Sequence, residues 1–232
     1  MAMLAAFGPD IWIADGPTVE AAAGFHYPTR MVVMRLANSE LVLWSPTALT
    51  HDLLSAIETL GTVRCLVPPN SLHHTFLHAW QNAYPEAIVY APPGLRKKRP
   101  DIRFDVDFDD GPIAAWADEI DHAILWGNRI TTEVVLFHRR SRTAIFADLI
   151  QQFPHGWFKG WRSLVARLDL MTAAEPTVPR KFRVAFTDRD AARESLRTIL
   201  AWSTDKLIFA HGPPIAHGGR EFLERSFRWL SR

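Results

Sequence analysis

The chain is built largely from short apolar runs, and three of these runs lead into a residue that could bind a metal ion. Asp148 follows directly on one run and His211 on another, whereas His73 lies in a loop that follows a third. Short apolar runs bounded by turn residues predict buried strands. Because a packed sheet fixes where its loops point, side chains at distant strand ends can meet in one site. The pattern therefore predicts a sheet-based protein with a candidate site at one edge.

The order of the predicted elements indicates an α/β protein. The first half reads as strand, hairpin, helix, strand, helix and strand, with residues 18–29 irregular. Its first helix spans residues 50–60, with Thr50 as the N-cap and Gly61 as the stop signal. The second half reads mostly as strands joined by tight turns, beginning with residues 113–116. Such a meander predicts antiparallel pairing. A helix, one more strand and a final helix follow near the end of the chain.

Length, charge and cysteine content exclude several classes of protein. The 232 residues are 48% apolar and show no linker, so we expect a single domain over residues 1–232. The 26 basic and 25 acidic side chains are balanced, and no nucleic-acid partner is expected. One cysteine, Cys65, excludes an intrachain disulfide and a cysteine-rich zinc module. No apolar run reaches membrane-spanning length and no signal peptide is recognisable, so we expect a cytoplasmic protein.

A segment rich in Trp, Phe and Arg, at about residues 150–181, reads as a helical insertion. Its part from 153 to 168 mixes aromatic and basic side chains. Segments of this composition lie on membrane surfaces or close over active sites. They also pack as ordinary helices on a sheet or at a dimer interface, which is the simplest interpretation here and is compatible with a homodimer.

The order of elements resembles that of the metallo-β-lactamase-fold superfamily, over roughly Ile11 to Ile215. The shared features are a hairpin, a helix, a strand running into a ligand loop, a meander, a strand ending in Asp and a late strand ending in His-Gly. The resemblance implies a four-layer αββα sandwich, in which two mixed β-sheets are flanked by helices and metal binds at one edge. It also implies that Asp148 matches the metal-bridging Asp and His211 the late histidine of the second metal site.

The metal-ligand motif of that superfamily is incomplete in this chain. The family's first loop reads Thr-His-x-His-x-Asp-His, and here Pro68, Asn70 and Leu72 replace its first two histidines and its Asp, so that only His73 matches. The next family histidine is replaced by Asn128 or Arg129. Proline and leucine offer no ligand atom, and a neutral Asn is a weak donor for zinc. The chain therefore resembles a degenerate branch of the superfamily with an unknown function.

Two functions are compatible with the surviving residues. In the first, His73, Asp148 and His211 bind one divalent metal ion, zinc or iron, with His74 and Asn70 as additional candidates. The protein is then a hydrolase whose metal-bound water attacks an ester, amide or phosphoester of an unidentified small-molecule substrate, with Asp148 and Asn70 as catalytic candidates. In the second, no metal binds, and the same side chains form a hydrogen-bonded remnant in a non-catalytic binding or scaffold protein.

Overall fold

Two β-sheets form the centre of the protein in the computed structural model, which describes residues 4–116 and 118–230. The strands are β1 (Leu4–Gly8), β2 (Ile11–Glu20), β3 (His26–Arg35), β4 (Glu40–Trp44), β5 (Thr62–Val67), β6 (Ile88–Ala91), β7 (Val106–Asp107), β8 (Ile120–Leu125), β9 (Glu133–His138), β10 (Thr143–Gln151) and β11 (Lys206–His211). A seven-stranded sheet holds β1 to β7 in chain order, and a four-stranded sheet has the order β11-β10-β9-β8. Both contain parallel and antiparallel pairs, so both are mixed sheets as expected.

Helices flank the two sheets, and all of them except the helix Trp161–Leu168 cover an outer face. They are α1 (His51–Glu58), α2 (Leu77–Ala83), α3 (Leu95–Lys98), α4 (Trp161–Leu168), α5 (Arg180–Ala185), α6 (Arg189–Ala201) and α7 (Gly219–Ser226). Apolar side chains of α1, α2 and α3 pack on the seven-stranded sheet, and those of α5, α6 and α7 pack on the four-stranded sheet. These six helices each bury an apolar face against the outer side of a sheet, so the inner sides of the two sheets pack on one another.

The two sheets share an apolar core between their inner faces. Val32 and Trp44 of the larger sheet contribute to it together with Val134, Ile145 and Ile208 of the smaller one. The resulting order of layers is helices, sheet, sheet, helices. The predicted four-layer αββα sandwich is therefore confirmed.

A partly buried arginine connects the two sheets near the candidate site. Arg30 of β3 donates from Nη1 to the carbonyl oxygens of Phe209 (2.8 Å) and Gly212 (2.5 Å), which lie at the end of β11. On its other side the guanidinium is paired with Asp15 of β2. Charge-assisted bonds of this kind fix both position and angle, so Arg30 holds the end of β11 against the larger sheet.

Local signals explain where two of the helices begin. The Thr50 hydroxyl accepts a hydrogen bond from the Leu53 amide, which confirms Thr50 as the N-cap of α1. At the end of that segment, a Cβ atom on Gly61 would lie 2.0 Å from the carbonyl oxygen of Ser39, so no other residue fits there. The side chain of Asp188 caps α6 by accepting from the Ala191 amide.

Two predicted segments differ from the structure. Residues 18–20 and 26–29 are not irregular, because β2 and β3 continue as a paired hairpin beyond a bulge between Asp15 and Thr18, and only residues 21–25 form a connection outside the strands. Residues 113–116 do not form a strand; they lie in a turn from which Trp116 packs on Tyr90, with ring centroids 4.8 Å apart. Their apolar side chains close the end of the core between the sheets rather than pairing with a neighbouring strand.

None of the helices in residues 4–116 and 118–230 is both long enough and apolar enough to cross a bilayer.

Candidate metal centre

Three side chains predicted from the sequence meet at one edge of the sandwich. His73 lies in the loop after β5, Asp148 lies within β10, and His211 is the last residue of β11. Each offers one potential ligand atom, and these atoms all lie within 4.8 Å of one another. In the part of the chain that the structure describes, this is the one group of three or more such side chains.

Asp148 is the centre of this group. Its Oδ2 atom lies 3.3 Å from Nε2 of His73 and 2.8 Å from Nδ2 of Asn70. Its Oδ1 atom lies 3.3 Å from Nε2 of His211 and 3.2 Å from Nε2 of Gln151. Both carboxylate oxygens are therefore held in place by an amide on one side, while each faces an imidazole on the other.

Asn70 positions two members of the group at once. Its amide nitrogen donates to Asp148, and its carbonyl oxygen accepts from the backbone amides of Leu72 (2.8 Å) and His73 (3.2 Å). The side chain is fully buried and does not line the cavity described below. Asn70 thus fixes the loop that carries His73 and does not reach the space where a substrate would lie.

Glu133 of β9 holds the backbone on which Asp148 sits. Its carboxylate accepts hydrogen bonds from the backbone amides of Ala147 (2.8 Å), Asp148 (2.8 Å) and Leu149 (3.1 Å). The ladder between β9 and β10 ends at Ile145, so this one side chain serves the amides that a strand would otherwise serve. The sequence predicted that Asp148 ends its strand; instead β10 continues past Asp148 to Gln151.

Hydrogen bonds to the second ring nitrogens orient both imidazoles. Nδ1 of His211 lies 2.9 Å from the carbonyl oxygen of Pro28, which can only accept, so Nδ1 carries the proton. Nε2 of a neutral His211 then presents a lone pair to the Asp148 oxygen 3.3 Å away. Nδ1 of His73 lies 2.8 Å from the Ser45 hydroxyl, which is able to accept in the same way.

Two lone pairs that face each other in a buried site repel unless a cation lies between them. Either a proton on an imidazole or a metal ion satisfies this requirement at Asp148. The donor set consists of two imidazole nitrogens and one carboxylate, which is a common set for one zinc or iron ion with open positions. The residues present therefore fit a single divalent metal ion.

The charges of the site are strongly coupled. Burial lowers the pKa of His73, but the charge and hydrogen bond of Asp148 outweigh it and raise that pKa above the ordinary value. Burial lowers the pKa of His211. The pKa of Asp148 stays well below its usual range, because the two histidines outweigh the effect of burial. Burial and the charge of Asp148 raise the pKa of Glu133 to about 7. Without a metal, His73 is therefore the imidazole that keeps a proton.

His74, the other predicted extra ligand, lies outside the group of three. Its Nδ1 atom is 2.7 Å from Nη1 of Arg99 and accepts its hydrogen bond. Burial, with the positive charges of Lys98 and Arg99, lowers the pKa of His74 to about 4. His74 contributes to the wall of the adjacent cavity and remains neutral there.

A cavity of about 460 Å³ opens beside the three side chains. Tyr27, Leu72, Ile130 and Phe182 supply apolar wall, and His73, Asp148, His211 and Gln151 form its polar end, with Lys98 and Lys181 also on its lining. A mostly apolar pocket with a few convergent polar groups is typical of a small-molecule site.

Sequence reasoning missed several groups that shape the site. Ser45 directly follows β4, so its place at a strand end was a usable signal. The Pro28 carbonyl and the amide of Gln151 had no such signal, because a backbone group is invisible in sequence and Gln151 reaches Asp148 only through the irregular end of β10.

Comparison with known proteins identifies both a family and a fold. A family model described as "Domain of unknown function (DUF4336)" matches residues 11–175. No curated protein matches the chain.

Solved structures match over nearly the whole chain. A metallo-β-lactamase from Pontibacter korlensis has 13% identity and a TM-score of 0.65, with 100% of each chain covered. The mono-zinc form of the metallo-β-lactamase FIM-1 from Pseudomonas aeruginosa has 13% identity and a TM-score of 0.64, with 99% of this chain and 95% of that chain covered. The metal-soaked Flv1 flavodiiron core from Synechocystis sp. PCC6803 has 12% identity and a TM-score of 0.65. The match covers 99% of this chain and 61% of the Flv1 chain. The TM-scores establish the metallo-β-lactamase fold for this chain, and the low sequence identities leave its activity open.

Proposed function

The chain belongs to the DUF4336 family, a domain of unknown function, and we propose that it is a hydrolase that uses one divalent metal ion bound by His73, Asp148 and His211. The observation that carries this proposal is the lone pair of His211. Because the Pro28 carbonyl takes the Nδ1 proton, Nε2 faces the Asp148 carboxylate as an electron-pair donor, which is the state that binds a metal. Proteins of the same fold have been crystallised with one zinc ion or after metal soaking, which agrees with this proposal.

A zinc or iron ion at this position supplies Lewis-acid polarisation of a carbonyl or phosphoryl oxygen and makes water a usable nucleophile at neutral pH. The substrate is accordingly an ester, an amide or a phosphoester. Its size is limited to that of a small molecule by the 460 Å³ of the cavity.

The protein's own residues divide between holding the ion and shaping the site. His73 and His211 would contribute neutral imidazole nitrogens, and Asp148 its carboxylate. Asn70 and Gln151 keep that carboxylate oriented from the opposite side, so we assign Asn70 a positioning role rather than a catalytic one. Tyr27 and Phe182 line the cavity, and the Tyr27 ring lies beside that of His211, with centroids 5.1 Å apart.

Elemental analysis of protein purified without chelator tests the proposal. We expect about one equivalent of zinc or iron per chain, and loss of that metal in His211→Ala. His217→Ala is the matched control, because His217 is 85% exposed and lies outside the group of three. Calorimetric titration of the metal-free protein should give one site in the native protein and in His217→Ala. Protein that binds none of zinc, iron or manganese contradicts the proposal.

A second function, a metal-free binding protein, is favoured by one specific observation. Each oxygen of Asp148 already has an amide donor and an imidazole neighbour, so a proton on His73 suffices to balance the buried carboxylate. The cavity would then bind a ligand without turnover. This second candidate predicts that His73, Asp148 and His211 bind no metal and that the cavity still takes up apolar ligands. The elemental analysis therefore distinguishes the metal-free binding protein from the hydrolase.

A further inference from the structure

Helix α4 turns its apolar side toward solvent. Trp161, Leu164, Val165 and Leu168 are 55%, 50%, 41% and 56% exposed. Their spacing of three, four and seven residues places them on one face of the helix, which we call the outer stripe. The one buried residue of α4, Ala166, lies on the opposite face. The usual arrangement of an amphipathic helix is therefore reversed.

The outer stripe is not a misplaced part of the core, because the inner side of the same segment is already filled. Phe153, Phe158, Ala166 and Met171 form a buried cluster of their own, which packs against Tyr27 of β3 and against Phe25 just before that strand. Phe25 and Phe158 have ring centroids 5.1 Å apart. The segment is anchored without any contribution from Leu164 or Leu168, so their apolar character needs another explanation.

Basic side chains border the outer stripe on both sides. With 100° between successive residues, Arg162 and Arg167 each lie about 110° from the centre of the stripe, on opposite flanks. Arg162 stays near the stripe, since its guanidinium lies 4.9 Å from the Trp161 ring centroid and it donates to the carbonyl oxygen of Ala23. The segment from 153 to 181 contains five basic and two acidic side chains. One of the acidic residues, Asp169, is already paired with Lys181.

We propose that the outer stripe of α4 docks this protein on the surface of an anionic lipid bilayer. A helix with tryptophan and leucine on one face and arginine on both flanks matches the boundary between acyl chains and head groups. The arginine stems lie along the apolar surface while their charged ends reach the lipid phosphates. A stripe of four side chains supports peripheral, reversible binding.

A second copy of the chain is a poorer occupant for this surface. An eight-residue helix is about 12 Å long, which is short for an interface that must bury roughly 1,200 Å² or more. Two-fold pairing through the stripe would also bring Arg162 and Arg167 of one copy near the same charges of the other. Charge therefore favours a negatively charged partner. The inference does not depend on the metal centre or on catalysis.

Vesicle sedimentation with the full chain tests the proposal. We expect binding to vesicles of phosphatidylcholine with phosphatidylserine at low salt, and at least about tenfold weaker binding to phosphatidylcholine alone or in high salt. The double variant Leu164→Ser/Leu168→Ser should lose about tenfold or more in affinity for the anionic vesicles. Val106→Ser is the matched control, since Val106 is also an exposed apolar residue but lies on β7.

Two further variants separate the charge from the stripe and locate the contact. Arg167→Gln should weaken vesicle binding severalfold, whereas Arg197→Gln on the exposed side of α6 should not. A polarity-sensitive dye on Leu164→Cys should shift to the blue with anionic vesicles, and the one native cysteine, Cys65, is fully buried and does not compete for the label. The proposal is overturned if vesicles leave the dye unshifted, if the double variant binds as the native protein does, or if the double variant only dissociates a dimer.

Discussion

The side-chain amide of Asn70 donates a 2.8 Å hydrogen bond to Asp148, while its carbonyl oxygen receives the backbone amide of His73. One buried amide thus sets the distance between a carboxylate on β10 and an imidazole in the loop after β5. By the sequence resemblance, Asn70 stands where the superfamily's motif has its second histidine. Its hydrogen bonds hold two of the three candidate ligands, Asp148 and His73, in fixed positions relative to each other.

Replacing Asn70 should therefore damage stability and metal binding together. We expect Asn70→Ala to lower the free energy of unfolding by about 2 kcal/mol, because it leaves buried groups unpaired. It should also weaken metal binding by about 10- to 100-fold, as loss of a supporting residue does elsewhere. Denaturant unfolding and calorimetric metal titration measure the two effects. Asn38→Ala is the control, since Asn38 makes the same type of turn bond to Glu40 at an exposed site; equal losses in both variants would contradict the role of Asn70.

Ser45 should affect the metal more than the fold. Ser45→Ala removes the hydroxyl 2.8 Å from Nδ1 of His73, so the ring loses the bond that fixes its orientation. We expect roughly tenfold weaker metal binding with about 1 kcal/mol or less lost in stability. Ser55→Ala, on the exposed side of α1, should change neither quantity. Unchanged affinity in Ser45→Ala would show that packing alone orients His73.

Glu133 should make stability depend on pH. Its pKa in the folded protein, about 7, lies above the ordinary 4.5, so the folded state binds the proton more tightly than the unfolded state. Its contribution to stability is therefore complete below pH 4.5 and is lost as the pH rises through 7, a change of about 3 kcal/mol at most. Histidines with lowered pKa values act in the opposite direction, so the measurable quantity is the difference between native protein and Glu133→Gln.

The difference in unfolding free energy should shrink by up to that amount between pH 5 and pH 8, measured by urea denaturation with a chelator present. Glu194→Gln on α6, where Glu194 is an exposed partner of Arg197, is the matched control. Parallel stability curves for native protein and Glu133→Gln would mean that Glu133 does not change its protonation in this range.

Replacing Arg30 should lower the stability of the protein, because its side chain connects the two sheets. Arg30→Met leaves the carbonyl oxygens of Phe209 and Gly212 without their donor, and we expect about 2–3 kcal/mol of destabilisation. Because Gly212 follows His211 directly, weaker metal binding should accompany the loss. Arg64→Met is the control, as Arg64 makes only a 3.8 Å exposed pair with Glu40 and should cost about 0.5 kcal/mol. Chemical denaturation of both variants decides the matter, and similar midpoints would argue against a connecting role for Arg30.

Much of the fold was predictable because it depends on local signals. Thr50 caps α1 as its side chain predicts, and the apolar runs at residues 63–67 and 206–210 form strands. The exceptions arise where tertiary contacts override the pattern. Residues 18–20 pair with β3 beyond a bulge although their composition is mixed, and Trp116 covers the core although its neighbours read as a strand.

The site was predictable only for side chains that follow an apolar run in the sequence. His73, Asp148 and His211 carry their signal in residue type and position, and the structure brings them together. The direction in which Glu133 points depends on the register of β9, which the sequence alone does not fix. The roles of the Pro28 carbonyl and of Gln151 depend on where distant strands end, so no local pattern could predict them.

The carboxylate of Glu133 takes the place of a neighbouring strand for three successive amides, at Ala147, Asp148 and Leu149. We therefore expect the protection of these three amide protons from solvent exchange to depend on one acid side chain rather than on a ladder of backbone bonds. A change in the charge around Asp148 also affects the Glu133 carboxylate, because the two groups interact electrostatically. Deuterium uptake at these three amides should consequently report a change of charge at the candidate metal centre, and the measurement needs no substrate.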